Sequence, residues 1–184
     1  LLGPLESETY DSLYLKLRIA KGRAALWIAL NDLADTWSLE VVTKNLSEFA
    51  DKAINLSWRA SFLKELKKGK FPKQYDGDPD KVGFFILAMG KLGAFELNYS
   101  SDIDLICFFD EELFHPEEFQ DVRRIFINAT KNMYRILSEN GTDGYVFRTD
   151  LRLRPDPSVT PVCMGVDAAE RYYASLGRSW ERAA

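Results

Sequence analysis

The stretch that most constrains this chain is Ser101-Asp102-Ile103-Asp104-Leu105-Ile106-Cys107-Phe108-Phe109. Apart from Asp104, Ile103 to Phe109 is apolar throughout, which reads as a strand buried on both faces. Side chains alternate along a strand, so Asp102 and Asp104 point to the same side. Two carboxylates together at the mouth of a buried strand repel each other and lose solvation, an arrangement that a divalent cation between them relieves. Upstream, Val82 to Met89 is a second apolar run of strand length. Between the two runs lie Gly90, Lys91, Gly93, Ser100 and Ser101, among them small residues whose backbone can approach a phosphate closely. The local reading is strand, glycine-containing phosphate loop, Asp-x-Asp, strand. Asp-x-Asp on its own also suits an ordinary turn before a strand.

A third acid lies downstream in Phe147-Arg148-Thr149-Asp150-Leu151-Arg152-Leu153-Arg154-Pro155. Strict alternation predicts a strand with Arg148, Asp150, Arg152 and Arg154 on one face and Phe147, Thr149, Leu151 and Leu153 on the other. Such a face can be merely solvated. Set against an Asp-x-Asp and a glycine loop, it is also what metal-assisted phosphoryl or nucleotidyl transfer requires: acids to hold metal and arginines to neutralise phosphate.

Three segments together resemble a known family. Gly-Lys-Leu-Gly-x-x-Glu-Leu-Asn-x-Ser-Ser-Asp-Ile-Asp-Leu (90–105), Phe147-Arg148-x-Asp150-x-Arg152-Leu153-Arg154-Pro155 and Tyr172-Tyr173…Gly177-Arg178-x-Trp180-Glu181-Arg182 are similar to the bifunctional glutamine synthetase adenylyltransferase/adenylyl-removing enzymes of the nucleotidyltransferase superfamily. Those enzymes carry two related catalytic halves. The Asn-x-Ser-Ser-Asp-Ile-Asp form and the Tyr-Tyr…Trp-Glu-Arg ending resemble the N-terminal half, which removes AMP. The resemblance implies an α+β fold, a small mixed sheet backed by helices. It implies that Asp102, Asp104 and Asp150 hold magnesium, two ions in all, and that Gly90, Lys91, Gly93 and Ser101 bind nucleotide phosphate (AMP, ADP or ATP). Arg152 and Arg154 are then the candidates for the second phosphate-bearing partner.

The implied reaction is phosphorolysis: inorganic phosphate attacks AMP esterified to a tyrosine of glutamine synthetase and releases ADP, in the regulation of nitrogen assimilation. Glutamine synthetase and the PII signalling protein are the implied partners. Two alternatives stand beside this reading, ATP-dependent adenylylation of glutamine synthetase and a non-catalytic nucleotide-sensing module. The chain departs from the family pattern at Ala94, where glycine is frequent, and at 156–161, where a glycine-bearing stretch is replaced.

Composition narrows the field. A net charge of -4 from 24 basic and 28 acidic residues disfavours a general nucleic-acid binder. Two cysteines and one histidine offer neither a disulfide framework nor a zinc or thiol-nucleophile constellation. No stretch approaches the roughly 20 apolar residues of a membrane span, and no signal-peptide pattern is present, so a cytoplasmic location is the expectation.

Residues 1–70 read as a helical N-terminal portion. One helix carries Leu13, Leu17, Ala20, Ala24, Ile28 and Leu30 with a bend or break at Gly22; a second starts at Ser38 and carries Leu39, Val42, Leu46, Phe49, Ala53, Leu56, Ala60 and Leu63. The Gly- and Pro-bearing charged stretch 71–81 reads as an exposed linker. Residues 82–184 form the expected catalytic domain, its end falling inside a helix as in an excerpt of a larger protein. There, Asp110 to Glu112 should end the central strand in solvent. A helix with Phe119, Val122, Phe126, Ala129, Met133, Ile136 and Leu137 on its buried face follows, closed by Asn140-Gly141, and a last helix opens at Asp167.

Overall fold

The computed structural model describes residues 5–75 and 77–177. Two long helices lead, α1 (Tyr10–Leu33) and α2 (Leu39–Leu66). Strand β1 (Phe84–Met89), the single turn α3 (Gly90–Gly93), strand β2 (Ile103–Phe109) and helix α4 (Phe119–Ser138) follow. Two short strands, β3 (Thr149–Asp150) and β4 (Cys163–Gly165), and helix α5 (Val166–Ser175) complete the fold. This is an α+β architecture with a small mixed sheet. The sequence motif around Arg178, Trp180, Glu181 and Arg182 lies outside the described residues.

Strand β2 is the centre of the sheet. Strand β1 pairs antiparallel along one edge, with Met89 opposite Asp104 and Phe84 opposite Phe109. On the other edge, β3 and β4 pair parallel one after the other: Ile103 with Thr149 and Asp104 with Asp150, then Cys107 to Phe109 with Cys163 to Gly165. The alternation of β2 therefore divides the molecule into two faces. Ile103, Leu105, Cys107 and Phe109 point into the main core with α1, α2 and α4, whereas Ile106 and Phe108 join Met164 and Ala169 on the α5 side. Asp104, between Ile103 and Leu105, belongs to the α5 face.

The helical layer and the sheet share one continuous core. Trp58 and Phe62 of α2, Phe84 of β1, Phe109 of β2 and Phe126 of α4 form an aromatic cluster, with Trp58 stacked on Phe84 at 3.4 Å between centroids. The stretch after α2 is anchored to this core at Phe71 and Tyr75. Phe71 meets Phe62 edge-on, and the Tyr75 hydroxyl donates to Glu118 (2.7 Å) and accepts from the His115 amide (2.9 Å).

Several expectations are corrected. Helix α1 runs through Gly22 without interruption; glycine costs only about 0.5–1 kcal/mol in a helix interior, less than the core burial of Leu13, Leu17, Ala20, Ala24 and Ile28 provides. Leu30, Leu39 and Leu63 are exposed although the spacing placed them on core stripes. The arginine strand is two residues long, because β2 offers β3 only Ile103 and Asp104 before β4 takes over its edge. Residues 152–154 turn instead. Glu111 is not simply solvated: its carboxylate lies against Gly165, where any Cβ would collide with it.

Candidate active site

The site begins where β1 ends and β2 starts, on the α5 side of the sheet. Gly90 has φ +57, a left-handed conformation natural to glycine, and a Cβ there would sit 3.5 Å from the Asp104 carboxylate. A Cβ at Gly93 would be driven into the backbone carbonyl of Ala88. These two glycines thus let a tight turn leave β1 and pass beside Asp104. Ala94 takes an ordinary right-handed conformation at the end of that turn, so the family's glycine is not required there.

Residues 95–102 return the chain to β2 and are pinned from both layers. The Leu97 amide, wholly buried, donates to Ser47 Oγ of α2 at 3.2 Å. Tyr99 donates to Asp32 at the end of α1 (3.0 Å). Ser101 Oγ donates to Asn98 Oδ1 (2.7 Å), and the Arg148 guanidinium donates to the Ser100 carbonyl. Ser47, Asp32 and Arg148 hold the loop that presents Asp102. Nothing in the spacing of α2 marks Ser47, whose hydroxyl also donates to the Thr43 carbonyl like any helical serine.

Asp104 and Asp150 are register partners on adjacent strands, and parallel neighbours at one register position face the same way. Asp104 is half-buried, and its carboxyl is held above the usual carboxylate range, first by burial and then by the negative charges of Asp102 and Asp150, with Arg152 opposing. Asp150 lies below its usual range because Arg152 hydrogen-bonds to it. The contact is extensive: Arg152 Nε reaches both carboxylate oxygens at 3.0 and 2.9 Å, Nη2 reaches Oδ2 at 2.6 Å, and the Arg152 amide donates to Oδ1 at 2.7 Å. The Arg152 side chain is otherwise exposed.

The three predicted aspartates are therefore electrostatic neighbours. Their donor chemistry, oxygen only and mutually repulsive, suits a hard divalent cation. Among the described residues, however, no three carboxylate, imidazole or thiol groups converge closely enough to hold a metal ion. Asp150 is turned onto Arg152, and a shared ion would have to take that carboxylate from the guanidinium.

Lys91, Gly93 and Ser101 are placed on the same turn and loop, with Lys91 exposed. Arg154 differs from expectation. Its guanidinium donates to the carbonyls of Leu151 (2.5 Å), Pro157 (3.0 Å) and Thr160 (3.2 Å), so it braces the loop from 151 to 160 and does not stand free for phosphate. Arg18 is a further residue that the sequence does not reveal. It is 3 % exposed, stacks on Tyr14 with the guanidinium 3.8 Å from the ring centre, and donates to the carbonyls of Gly144 (2.8 Å), Tyr14 and Glu139. It fastens α1 to the connection that leads into β3.

Residues 3–184 match the family described as glutamate-ammonia ligase adenylyltransferase. A Bradyrhizobium protein named bifunctional glutamine synthetase adenylyltransferase/adenylyl-removing enzyme is 46 % identical over 169 residues, 91 % of this chain and 17 % of that protein. Proteins of the same name from Caulobacter vibrioides and Rhodopseudomonas palustris are each 44 % identical, over 91 % and 95 % of this chain and 17 % and 18 % of their own lengths. The chain thus spans about a sixth of the relatives it matches.

Proposed function

The chain belongs to the glutamate-ammonia ligase adenylyltransferase family, and from that premise we propose that it contributes the site for removing AMP from adenylylated glutamine synthetase. In this reaction a phosphate oxygen attacks the phosphorus of AMP esterified to tyrosine. The bond from phosphorus to the phenolic oxygen breaks, ADP leaves, and the tyrosine oxygen takes up a proton. A phenol, with a pKa near 10, leaves more readily than an alkoxide, so the chemistry needs no strongly acidic side chain at the leaving oxygen.

The observation that carries this reading is the register pairing of Asp104 with Asp150, with Asp102 close enough for its charge to be felt at Asp104. With Asp150 released from Arg152, Asp102, Asp104 and Asp150 would hold magnesium, which when bound offsets charge at phosphorus and polarises the reacting oxygens. The chain's own residues do the rest. Arg152, exposed except for its contact with Asp150, would bind the incoming phosphate. Ser47 and Arg148 fix the loop before Asp102, and Arg154 fixes the loop after Arg152.

The sense of the reaction rests on the sequence Asn98-x-Ser100-Ser101-Asp102-Ile103-Asp104, which resembles the AMP-removing half of these enzymes. The test is to incubate the full-length protein with adenylylated glutamine synthetase, phosphate and magnesium and to measure ADP. Asp102→Asn should abolish ADP formation. If Asp102→Asn removes AMP normally, or if it silences only the addition of AMP from ATP to unmodified glutamine synthetase, the assignment is wrong.

A further inference from the structure

A recess opens beside the edge strand β3. It has a volume of about 650 Å³ and lies between the C-terminal half of α4 and the β3 edge, lined by Lys131, Tyr134, Arg135, Leu151, Arg152 and Val162 together with Thr149 and Asp150 of β3. It adjoins the aspartate face and shares Asp150 and Arg152 with it, but its other walls lie on the helical side. Thr149, which also lines it, is the register partner of Ile103, and Ile103 and Leu151 belong to the core on the helical side, whereas Asp104 lies on the α5 side. Asp150 and Arg152 form the wall between the two.

The chemistry of the lining is specific. Three cations meet two carboxylates there. Arg152 pairs with Asp150 at 2.6 Å and Arg135 loosely with Glu139 at 3.5 Å, both partners of the latter pair being solvated. Lys131 has no ion-pair or hydrogen-bond partner among the described residues, and neither does the Tyr134 hydroxyl. An unmatched ammonium beside two guanidiniums calls for an anion, and a solvated pair such as Arg135–Glu139 contributes only about 0–1 kcal/mol and re-pairs readily. The remaining surface is flat and apolar: the Tyr134 ring, 40 % exposed, with Leu151 and Val162. The volume falls within the range of roughly 300–1,000 Å³ typical of small-molecule sites.

We propose that this recess binds a nucleoside phosphate, its phosphate on Lys131, Arg135 and the outer edge of Arg152, and its base against Tyr134, Leu151 and Val162. The site adjoins the aspartate site through Asp150 and Arg152 and does not depend on the direction of the reaction proposed above. A phosphate in the recess competes with Asp150 for the Arg152 guanidinium, so occupancy is felt at Asp150 through a shared side chain rather than through a change of fold.

The test is photolabelling of the full-length protein with 8-azidoadenosine monophosphate in the presence of EDTA, with the labelled peptides mapped by mass spectrometry. Excess metal chelator keeps nucleotide from being held through cations at the aspartates. The expected result is saturable labelling of the peptide containing Tyr134, suppressed by excess AMP. The solvent-exposed double variant Lys131→Gln/Arg135→Gln should label that peptide at least tenfold less, and Asp104→Asn should leave it within twofold of the parent. The proposal is overturned if that peptide is not labelled above the AMP-blocked level, if labelling survives the double substitution, or if Asp104→Asn removes it.

Discussion

Replacing Ser47 by alanine tests whether the N-terminal helices belong to the site. Ser47 is fully buried on α2, and its Oγ is the acceptor for the wholly buried amide of Leu97, five residues before Asp102. The alanine variant strands that amide without water or a protein partner, which costs about 1–3 kcal/mol for a neutral donor. The free energy of opening the loop falls by that amount, and with 1.4 kcal/mol per factor of ten, Leu97 should exchange its amide hydrogen roughly 5- to 150-fold faster. Ser57 supplies the control. It is equally buried on the same helix, but its hydroxyl donates only to the Ala53 carbonyl, inside α2. Ser57→Ala should therefore leave the exchange of residues 95–99 unchanged. Hydrogen exchange read by mass spectrometry on the full-length protein makes the comparison locally, without requiring two-state unfolding. Equal exchange at Leu97 in the Ser47→Ala variant and the parent, or acceleration of the same size in Ser57→Ala, would refute the claim that α2 holds the site loop.

Further outcomes follow from individual residues. Asp104→Asn should abolish AMP removal, read as ADP release, while leaving the far-ultraviolet circular dichroism of the protein unchanged; normal activity in this variant would exclude Asp104 from the reaction. Gly93→Ala forces a Cβ into the Ala88 carbonyl, a backbone atom that cannot rotate away, and should destabilise the turn by about 1–3 kcal/mol, seen as faster hydrogen exchange in 90–97. Cys107 and Cys163 are free and buried, and burial pushes the Cys107 thiol up to about 12 and raises Cys163 as well. At pH 8 about one Cys107 thiol in ten thousand is then ionised, so neither cysteine should react with a disulfide reagent until the protein unfolds, when both do. Because the fold favours the neutral thiol, the associated stability is complete below the unfolded pKa of about 8.5 and declines as pH rises from there toward 12; a denaturation midpoint constant across that range would contradict it.

The central part of the fold is legible in the sequence because one local pattern decides it. The run Ile103 to Phe109, apolar but for Asp104, reads as an interior strand, and the three- and four-residue steps of α4 place Val122, Phe126, Ala129, Met133, Ile136 and Leu137 in the core as expected. What stays hidden is set by partners distant in sequence. The alternation from Arg148 to Arg154 is as regular as in any strand, yet only Thr149 and Asp150 find a free edge on β2. The three-residue β4 gives no periodic signal at all, and it exists because β2 has an unfilled edge from Cys107 to Phe109. Arg18 shows the same limit in the core: its acceptors at Gly144 and Glu139 lie more than a hundred residues away, so a buried arginine reads as one more solvated charge. At the site, the aspartates are visible from spacing, whereas the occupation of Asp150 by Arg152 and of Arg154 by loop carbonyls requires the turn after β3 to be known.

That turn helps explain how a strand of two residues can hold Asp150 in register with Asp104. Strand β3 pairs with β2 only at Ile103 and Asp104, too little to fix a strand on its own. Its position is over-determined from outside the sheet. Val146 and Phe147 donate to the Leu137 carbonyl at the end of α4, Arg148 holds the Ser100 carbonyl, and Arg154 gathers the carbonyls of the following loop. Upstream, Arg18 of α1 binds two carbonyls of the connection from α4 to β3, at Glu139 and at Gly144. The helical N-terminal portion thus positions Asp150 through that connection, just as α2 positions Asp102 through Ser47. A chain cut between 70 and 82 to separate helices from sheet would keep all three aspartates but remove both sets of constraints, and the register of Asp150 with Asp104 would no longer be enforced.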